Sequence, residues 1–345
     1  MLLEIRAELA GTDTLIPRPR RVGGVYVLEL GGQDDDFAAF EAGSAASSVE
    51  LVAPGLATAR TITDRVRRLA YTHSAGELVG RGDPDVGSAR SILEAAPLDR
   101  SGTVAVRAVD VRGRTGVDTR RAERELGDVL VDRGFAVDLE EPDHELRAFF
   151  AEGTSALGWL VAESVRDFGQ RRPTDRPFFQ PGSMDPLLAR ALANAAGARP
   201  GATVLDPMCG TGGILVEAGT VGARVVGVDA QAKMARGSRE NLAHCLEGGW
   251  DVARGDARSL PLADGAVDAV VFDTPYGRQS KIEGRLDRLV LEALEEARRV
   301  APRCVVVGDR PWAQPAHEAG WKTVAAFDRP VHRSLTRYVL ALRRA

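Results

Sequence analysis

The stretch TVLDPMCGTGGILVEAG, residues 203–219, decides the fold. A short apolar run ends on Asp206 and passes at once into Pro-Met-Cys-Gly-Thr-Gly-Gly, after which Ile214, Leu215 and Val216 open a helix-like pattern. A glycine-rich turn between strand and helix lets a ligand approach the backbone closely and presents free helix N–H groups. Working outward, strand and helix patterns alternate. RVVGVDA (224–230), DVARGDA (251–257), VDAVVFD (267–273) and CVVVGD (304–309) read as strands, with helices over AKMARGSRENLAHCL (232–246) and LDRLVLEALEEARRV (286–300). Such alternation implies parallel crossovers and a doubly wound α/β sheet. The closing runs WKTVAAFD (321–328) and RYVLALR (337–343) suit an antiparallel pair.

The 345 residues allow two or three domains. Hydrophobic content of 44% and charged content of 27% are ordinary globular values. The first residues, MLLEIRAEL, carry charges every few positions, and no segment has the uncharged apolar length of a membrane span. Cys209, Cys245 and Cys304 are too widely spaced for a disulfide framework or a zinc site, and the histidines form no ligand pattern, so no metal is expected. A cytoplasmic monomer is the expectation. Upstream, GGVYVLEL (23–30), SSVELVAPG (47–55) and GTVAVRAVDVR (102–112) read as strands. ATARTITDRVRRLAYTH (57–73) and RAERELGDVLVDRG (121–134) read as helices, and FAVDLEEPDHELRAFFAEG (135–153) as strand, turn and a further segment. This divides the chain into small α+β units over 1–55 and 56–160, a linker over 161–182 and a catalytic domain over 183–345. The linker stretch RDFGQRRPTDRPFFQPGSM (166–184) is rich in Arg, Pro and Gly.

Three carboxylates end successive strands of the C-terminal half. The turn Met208, Cys209, Gly210 and Gly212 follows Asp206; its order is not the G-x-G-x-x-G of dinucleotide enzymes. A carboxylate at Asp206 would repel a pyrophosphate but suits a ligand with an ammonium and a sulfonium. Asp229, with Ala230 after it, is placed to accept from ribose hydroxyls. Asp256 is placed to accept from an adenine amino group, with the N–H of Ala257 meeting a ring nitrogen. Together they point to S-adenosylmethionine. The fourth strand ends in VVFDTPYGRQS (270–280). Asp273 and the Thr274 carbonyl can each accept one hydrogen of a planar exocyclic amine and aim its lone pair at a methyl group. Pro275 fixes the turn, and Tyr276 can stack on a base flipped out of its helix.

Asp-Thr-Pro-Tyr-Gly-Arg resembles the (Asp/Asn)-Pro-Pro-(Tyr/Phe) signature of amino-directed methyltransferases, in the branch acting on guanine N2 in RNA. With RPFFQPGSMDPLLARALANAAG, LDPMCGTGGILVEA and VVGVDAQAKM, the chain from about 165 onward is similar to the archaeal tRNA guanine-10 N2-methyltransferases. Residues 56–160 are similar to a THUMP domain, and the unit before it to that domain's ferredoxin-like companion. The resemblance implies a class I methyltransferase with a seven-stranded sheet, S-adenosylmethionine as cofactor and tRNA as partner. It also implies that the segment from Phe179 through Pro181 to Ser183 closes over the methionine part of the cofactor. One departure is Thr274, which replaces the usual first proline.

Seven arginines lie between Arg100 and Arg124 against Asp110, Asp118 and Glu123. Arg107, Arg112, Arg114, Arg120 and Arg121, with Arg171 and Arg172 of the linker, are the expected phosphate contacts. A solvated helix face competes with that reading, and the net charge of −4 does not favour it. The alternatives are the same chemistry on another tRNA or ribosomal RNA guanine, a DNA amino-methyltransferase, an inactive RNA-binding protein and a nicotinamide dehydrogenase.

Overall fold

The computed structural model describes residues 24–275, 280–332 and 335–345, with 280–283, 331, 332 and 335 described by backbone alone. Residues 1–23 of the expected N-terminal unit and Tyr276 lie outside the described residues.

In chain order the first half comprises β1 (Tyr26–Leu30), α1 (Asp35–Ala42), β2 (Ala46–Ser47), β3 (Glu50–Ala53), β4 (Leu56–Ala59), β5 (Thr61–Ile62), β6 (Thr72–Gly82), α2 (Val86–Ala95), β7 (Thr103–Asp110), α3 (Thr119–Asp132), β8 (Ala136–Val137), β9 (His144–Ala151) and β10 (Thr154–Glu163). Eight of these strands form one sheet in the order β3-β4-β1-β6-β10-β9-β7-β8, while β2 pairs with β5. The expected boundary at residue 55 therefore falls in the turn between two strands of a continuous sheet, because β1 pairs antiparallel with both β4 and β6. The helix expected over 57–73 is also corrected. That stretch holds β4, β5, a single 3₁₀ segment (Asp64–Arg68) and the start of β6. Its threonines at 58, 61 and 63 carry two branches at Cβ, which stiffens χ1 and favours extended backbone over helix.

The second half comprises α4 (Pro186–Ala196), β11 (Thr203–Asp206), α5 (Gly213–Thr220), β12 (Arg224–Asp229), α6 (Ala232–Cys245), β13 (Trp250–Arg254), β14 (Ala269–Asp273), α7 (Ser280–Val300), β15 (Arg303–Gly308), α8 (Ala313–Glu318), β16 (Trp321–His332) and β17 (Leu335–Arg344). The sheet runs β13-β12-β11-β14-β15-β17-β16, with β17 antiparallel to its neighbours. This is the seven-stranded, doubly wound sheet that the alternation predicts, and its closing hairpin is the expected antiparallel pair. Central β11 is apolar on both faces. Val204 packs in the cluster with Leu188 and Leu215, and Leu205 in the one with Phe272, Val290 and Leu294. Because strand order reverses about β11, the carboxyl ends of β11, β12 and β14 open on one crevice.

The halves meet through buried polar groups. Glu41 of α1, fully buried, accepts from the N–H groups of Ala70 (2.6 Å) and Tyr71 (2.7 Å) and from Asn194 Nδ2 of α4 (2.7 Å). Arg329 of β16 donates to Tyr71 Oη (3.0 Å) and to Asp34 Oδ2 (3.3 Å), with its guanidinium 4.3 Å from the Phe37 ring centre. The segment after β10 is packed rather than loose. Arg171 is buried against Glu217 of α5 (2.7 Å), which also binds the fully buried Arg190 of α4 (2.7 Å).

Candidate active site

A cavity of about 190 Å³ opens at the carboxyl ends of β11 and β14. Pro181, Ser183, Asp206, Met208, Cys209, Gly210, Asp273 and Thr274, all expected from sequence, line it. Gln180, from the expected strap segment, also lines it, as do Met184 and Met234, which were not foreseen. Ligand cavities for larger molecules usually run from about 300 Å³ upward. A nucleoside-bearing ligand would need more room than this cavity alone offers.

Asp206 is only 2% exposed, and its Oδ1 accepts from the Met208 N–H at 3.0 Å. Burial pushes its carboxyl well above the usual carboxylate range, and the charges of Asp229 and Asp273 push the same way. Such a group gains from a cation placed beside it. That fits the ammonium and sulfonium end of S-adenosylmethionine.

The glycine turn takes its shape from φ values of +52° at Gly210 and +77° at Gly212, the left-handed region that glycine reaches without steric cost. A β-carbon at Gly212 would lie 2.5 Å from Ser238 Oγ of α6, so that glycine also permits close helix packing. Cys209 contributes main chain. Its N–H donates to Val228 O (3.0 Å), while burial raises the thiol's pKa and leaves it a protonated apolar side chain.

Two expected ligands have other work. Asp229 Oδ2 accepts from Gly210 N–H (3.0 Å) and Oδ1 from Gln231 N–H (2.8 Å), so this carboxylate staples the glycine turn to β12. Each oxygen retains a second lone pair for a ribose hydroxyl. Asp256 is bound by the Arg258 guanidinium (2.7 Å) and backbone N–H (3.0 Å), and with Ala230 and Ala257 it stands outside the cavity wall.

Asp273 ends β14 in the cavity wall, and Thr274, 2% exposed, donates its N–H to Val307 O of β15 at 2.8 Å. Pro275 follows, exposed. Two buried polar atoms in this region have no hydrogen-bond partner among the described residues: Thr274 Oγ1 and Trp312 Nε1. They converge on Gly308, where a β-carbon would sit 2.7 Å and 2.1 Å from them respectively.

The strap from Phe178 to Met184 is held by one residue that sequence reading missed. Asn241 of α6, fully buried, accepts from Phe178 N–H (2.9 Å) and donates to Phe178 O (2.9 Å) and Thr211 O (2.8 Å). The Phe178 ring lies where a β-carbon at Gly237 would come within 2.0 Å. Ser183 Oγ donates to Gln180 O (2.7 Å) and lies 3.2 Å from Thr211 Oγ1. The available signal was Gly237, Ser238 and Asn241 on one face of an otherwise charged helix.

The expected phosphate-binding arginines do not form one free cluster. Arg107 donates to Leu139 O, Arg112 pairs with Asp35, Arg114 with Glu152 and Arg121 with Glu125. Arg171 is committed to Glu217 and Asp167, which corrects its placement as an RNA contact. Carboxylates distant in sequence supply three of these partners, Asp35, Glu152 and Glu217, while Glu125 and Asp167 lie one helical turn away. Arg120 and Arg172 are exposed and have no ion pair among the described residues.

The UPF0020 family, an RMKL-like methyltransferase domain, matches residues 173–337. The chain is 35% identical over 318 residues to a tRNA (guanine(10)-N2)-dimethyltransferase of Methanothermobacter thermautotrophicus, covering 90% of this chain and 91% of that protein. It is 30% identical to the protein of the same name from Pyrococcus abyssi, over 79% of this chain and 83% of the relative. Among solved structures, TrmN from Thermus thermophilus aligns over 93% of this chain and 100% of its own, with a TM-score of 0.48 and 23% identity. A cavity walled by the glycine turn, the buried Asp206 and the Asp273–Thr274 strand end thus accompanies similarity over 90% of the chain. The chain belongs to the family of the archaeal tRNA (guanine(10)-N2)-dimethyltransferases.

Proposed function

We propose that this protein methylates the exocyclic N2 amine of guanine 10 in tRNA, giving N2-methyl- and N2,N2-dimethylguanosine. The observation that carries the reading is the sharing of one cavity wall by the buried Asp206 and the Asp273–Thr274 strand end. S-adenosylmethionine, when bound, supplies the electrophilic methyl group. Asp206 neutralises the cationic end of that cofactor, while Pro181 and Ser183 cover it from the strap. Asp229 fixes the glycine turn and meets the ribose from its free lone pairs. Asp273 and the Thr274 carbonyl each accept one amine hydrogen, which turns the nitrogen lone pair away from the purine ring and toward the methyl. Accepting the proton at Asp273 and passing it to solvent completes one transfer.

The test is transfer of labelled methyl to unmodified tRNA transcripts, one with guanine 10 replaced. Label that vanishes with the replacement supports both reaction and site, whereas label that persists moves the target. In Asp273→Ala, turnover is expected to fall by at least about 10²-fold with cofactor affinity retained. Normal turnover in that variant would sink the amine-acceptor role.

A further inference from the structure

A second cleft, of about 460 Å³, lies between α1 and the C-terminal end of α4. Arg65, Arg199 and Arg303 line it, and no aspartate or glutamate does. None of the three guanidinium groups has a carboxylate partner among the described residues. Elsewhere Arg112, Arg114, Arg171 and Arg224 each pair with a carboxylate. Arg199 and Arg303 approach one point: a β-carbon at Gly197 would lie 3.6 Å and 3.4 Å from their respective Nη1 atoms. Burial, and then the charge of Arg199, lower the pKa of the Arg65 guanidinium. Like charges gathered in a part-buried cleft repel one another unless an anion joins them.

Backbone carbonyls account for part of this cluster. Arg65 donates to Ser44 O and to Ala198 O (2.9 Å), and Arg199 to Gly197 O (3.1 Å), which caps the carbonyl ends of α1 and α4. Each guanidinium offers five N–H donors, so most remain. Capping does not explain Arg303, and it leaves Ser44 Oγ, which lines the same cleft, buried with no hydrogen-bond partner. A tetrahedral oxyanion matches a fork of guanidinium donors and a hydroxyl.

We propose that this cleft is a phosphate-binding site, in which Arg65, Arg199, Arg303 and the Ser44 hydroxyl hold one phosphate group. Arg303 opens β15, and Gly197 to Arg199 precede β11, so the cleft faces the amino ends of the strands while Asp206 and Asp273 stand at the carboxyl ends. A backbone phosphate of a bound RNA, gripped there, positions the substrate without reading its sequence. The RNA source rests on the tRNA reading above; the phosphate chemistry does not.

The experiment compares wild type, Arg199→Ala/Arg303→Ala and Arg90→Ala/Arg224→Ala, a control with the same charge change at arginines that pair elsewhere. One arm measures binding of an unmodified tRNA transcript across salt concentrations. The Arg199/Arg303 variant is expected to bind about tenfold more weakly, with a log–log salt slope shallower by about 1 to 2; the control stays within about twofold. The other arm measures the melting temperature with inorganic phosphate and pyrophosphate. A rise of a few degrees in wild type and control, absent from the Arg199/Arg303 variant while its tRNA slope is unchanged, assigns the site to free phosphate. A variant indistinguishable from the control in both arms overturns the proposal. Wild type that responds to phosphate but transfers no methyl to tRNA would sink the substrate reading and keep the site.

Discussion

Thr274 occupies a position where proline would stiffen the turn, yet its N–H makes a bond that proline cannot, to Val307 O of the adjacent strand. The rigidity that a ring would provide comes here from pinning the turn to β15. Thr274→Pro is therefore expected to lower stability by about 1–3 kcal/mol, since it leaves a buried carbonyl unpaired. A melting curve checks this, and an unchanged or higher melting temperature would show that the ring compensates. Asp206 gives a prediction in pH. Burial raises its folded-state pKa, so above the ordinary carboxylate range the folded protein holds a proton that the unfolded chain has lost. This group's contribution to stability therefore falls as pH rises. A cationic ligand favours the carboxylate, so binding S-adenosylmethionine releases a proton and tightens with increasing pH. Calorimetry in buffers of different ionisation heat reads the proton directly. Asp206→Asn is expected to abolish that release, weaken binding by roughly tenfold or more, and raise the melting temperature most at high pH.

At the scale of elements, α6 works as a clamp on the Phe178–Met184 strap. Asn241→Ala would leave Phe178 N–H, Phe178 O and Thr211 O without their partner. At about 1–3 kcal/mol for a buried group left unpaired, the strap is expected to detach before the domain unfolds. Cofactor affinity should fall by roughly tenfold or more with only a modest loss in melting temperature. Calorimetric titration and a melting curve separate the two, and equal affinity would show that the strap holds without α6. The strap was legible in the sequence and so was the sheet, but the hold that Asn241 has on the strap was not. VVFD and CVVVG are strands buried on both faces, and such runs are apolar throughout. Asp206, Asp273 and the glycine turn were legible because they sit where those runs end. Asp229 was legible as a strand-end carboxylate, but its bond to Gly210 joins residues 19 apart and follows only from the fold. Residues 57–73 misled because a helical spacing of apolar residues coincided with β-branched threonines, and sheet pairing decided between them.

At the scale of the molecule, the two halves are one construction, held by buried polar groups that specify a single orientation. Arg171, Glu217 and Arg190 link the segment after β10 to α5 and α4, and Glu41 links α1 to α4. Composition could show that many arginines face many carboxylates, but not which pairs close inside. An apolar interface would tolerate sliding, whereas a carboxylate receiving three donors does not. Burial raises the Glu41 pKa while those bonds pull it down. In Glu41→Gln the side chain keeps its size, but one oxygen is replaced by an NH₂ group. That group must face the N–H of Ala70 or Tyr71 or the Asn194 amide, so one donor meets another. The expected cost is about 1–3 kcal/mol, concentrated at the junction. If the first half holds the tRNA and the junction sets its distance from the cavity, tRNA methylation suffers while cofactor binding does not. Cofactor affinity should stay within about twofold, kcat/KM for tRNA should fall by roughly tenfold, and methyl groups should reach guanines other than the natural target. Calorimetry, initial rates and nucleotide mapping of the product measure the three. Parallel collapse of cofactor affinity and tRNA activity, with the target unchanged, would mean that Glu41 serves only general stability and that the junction does not select the nucleotide.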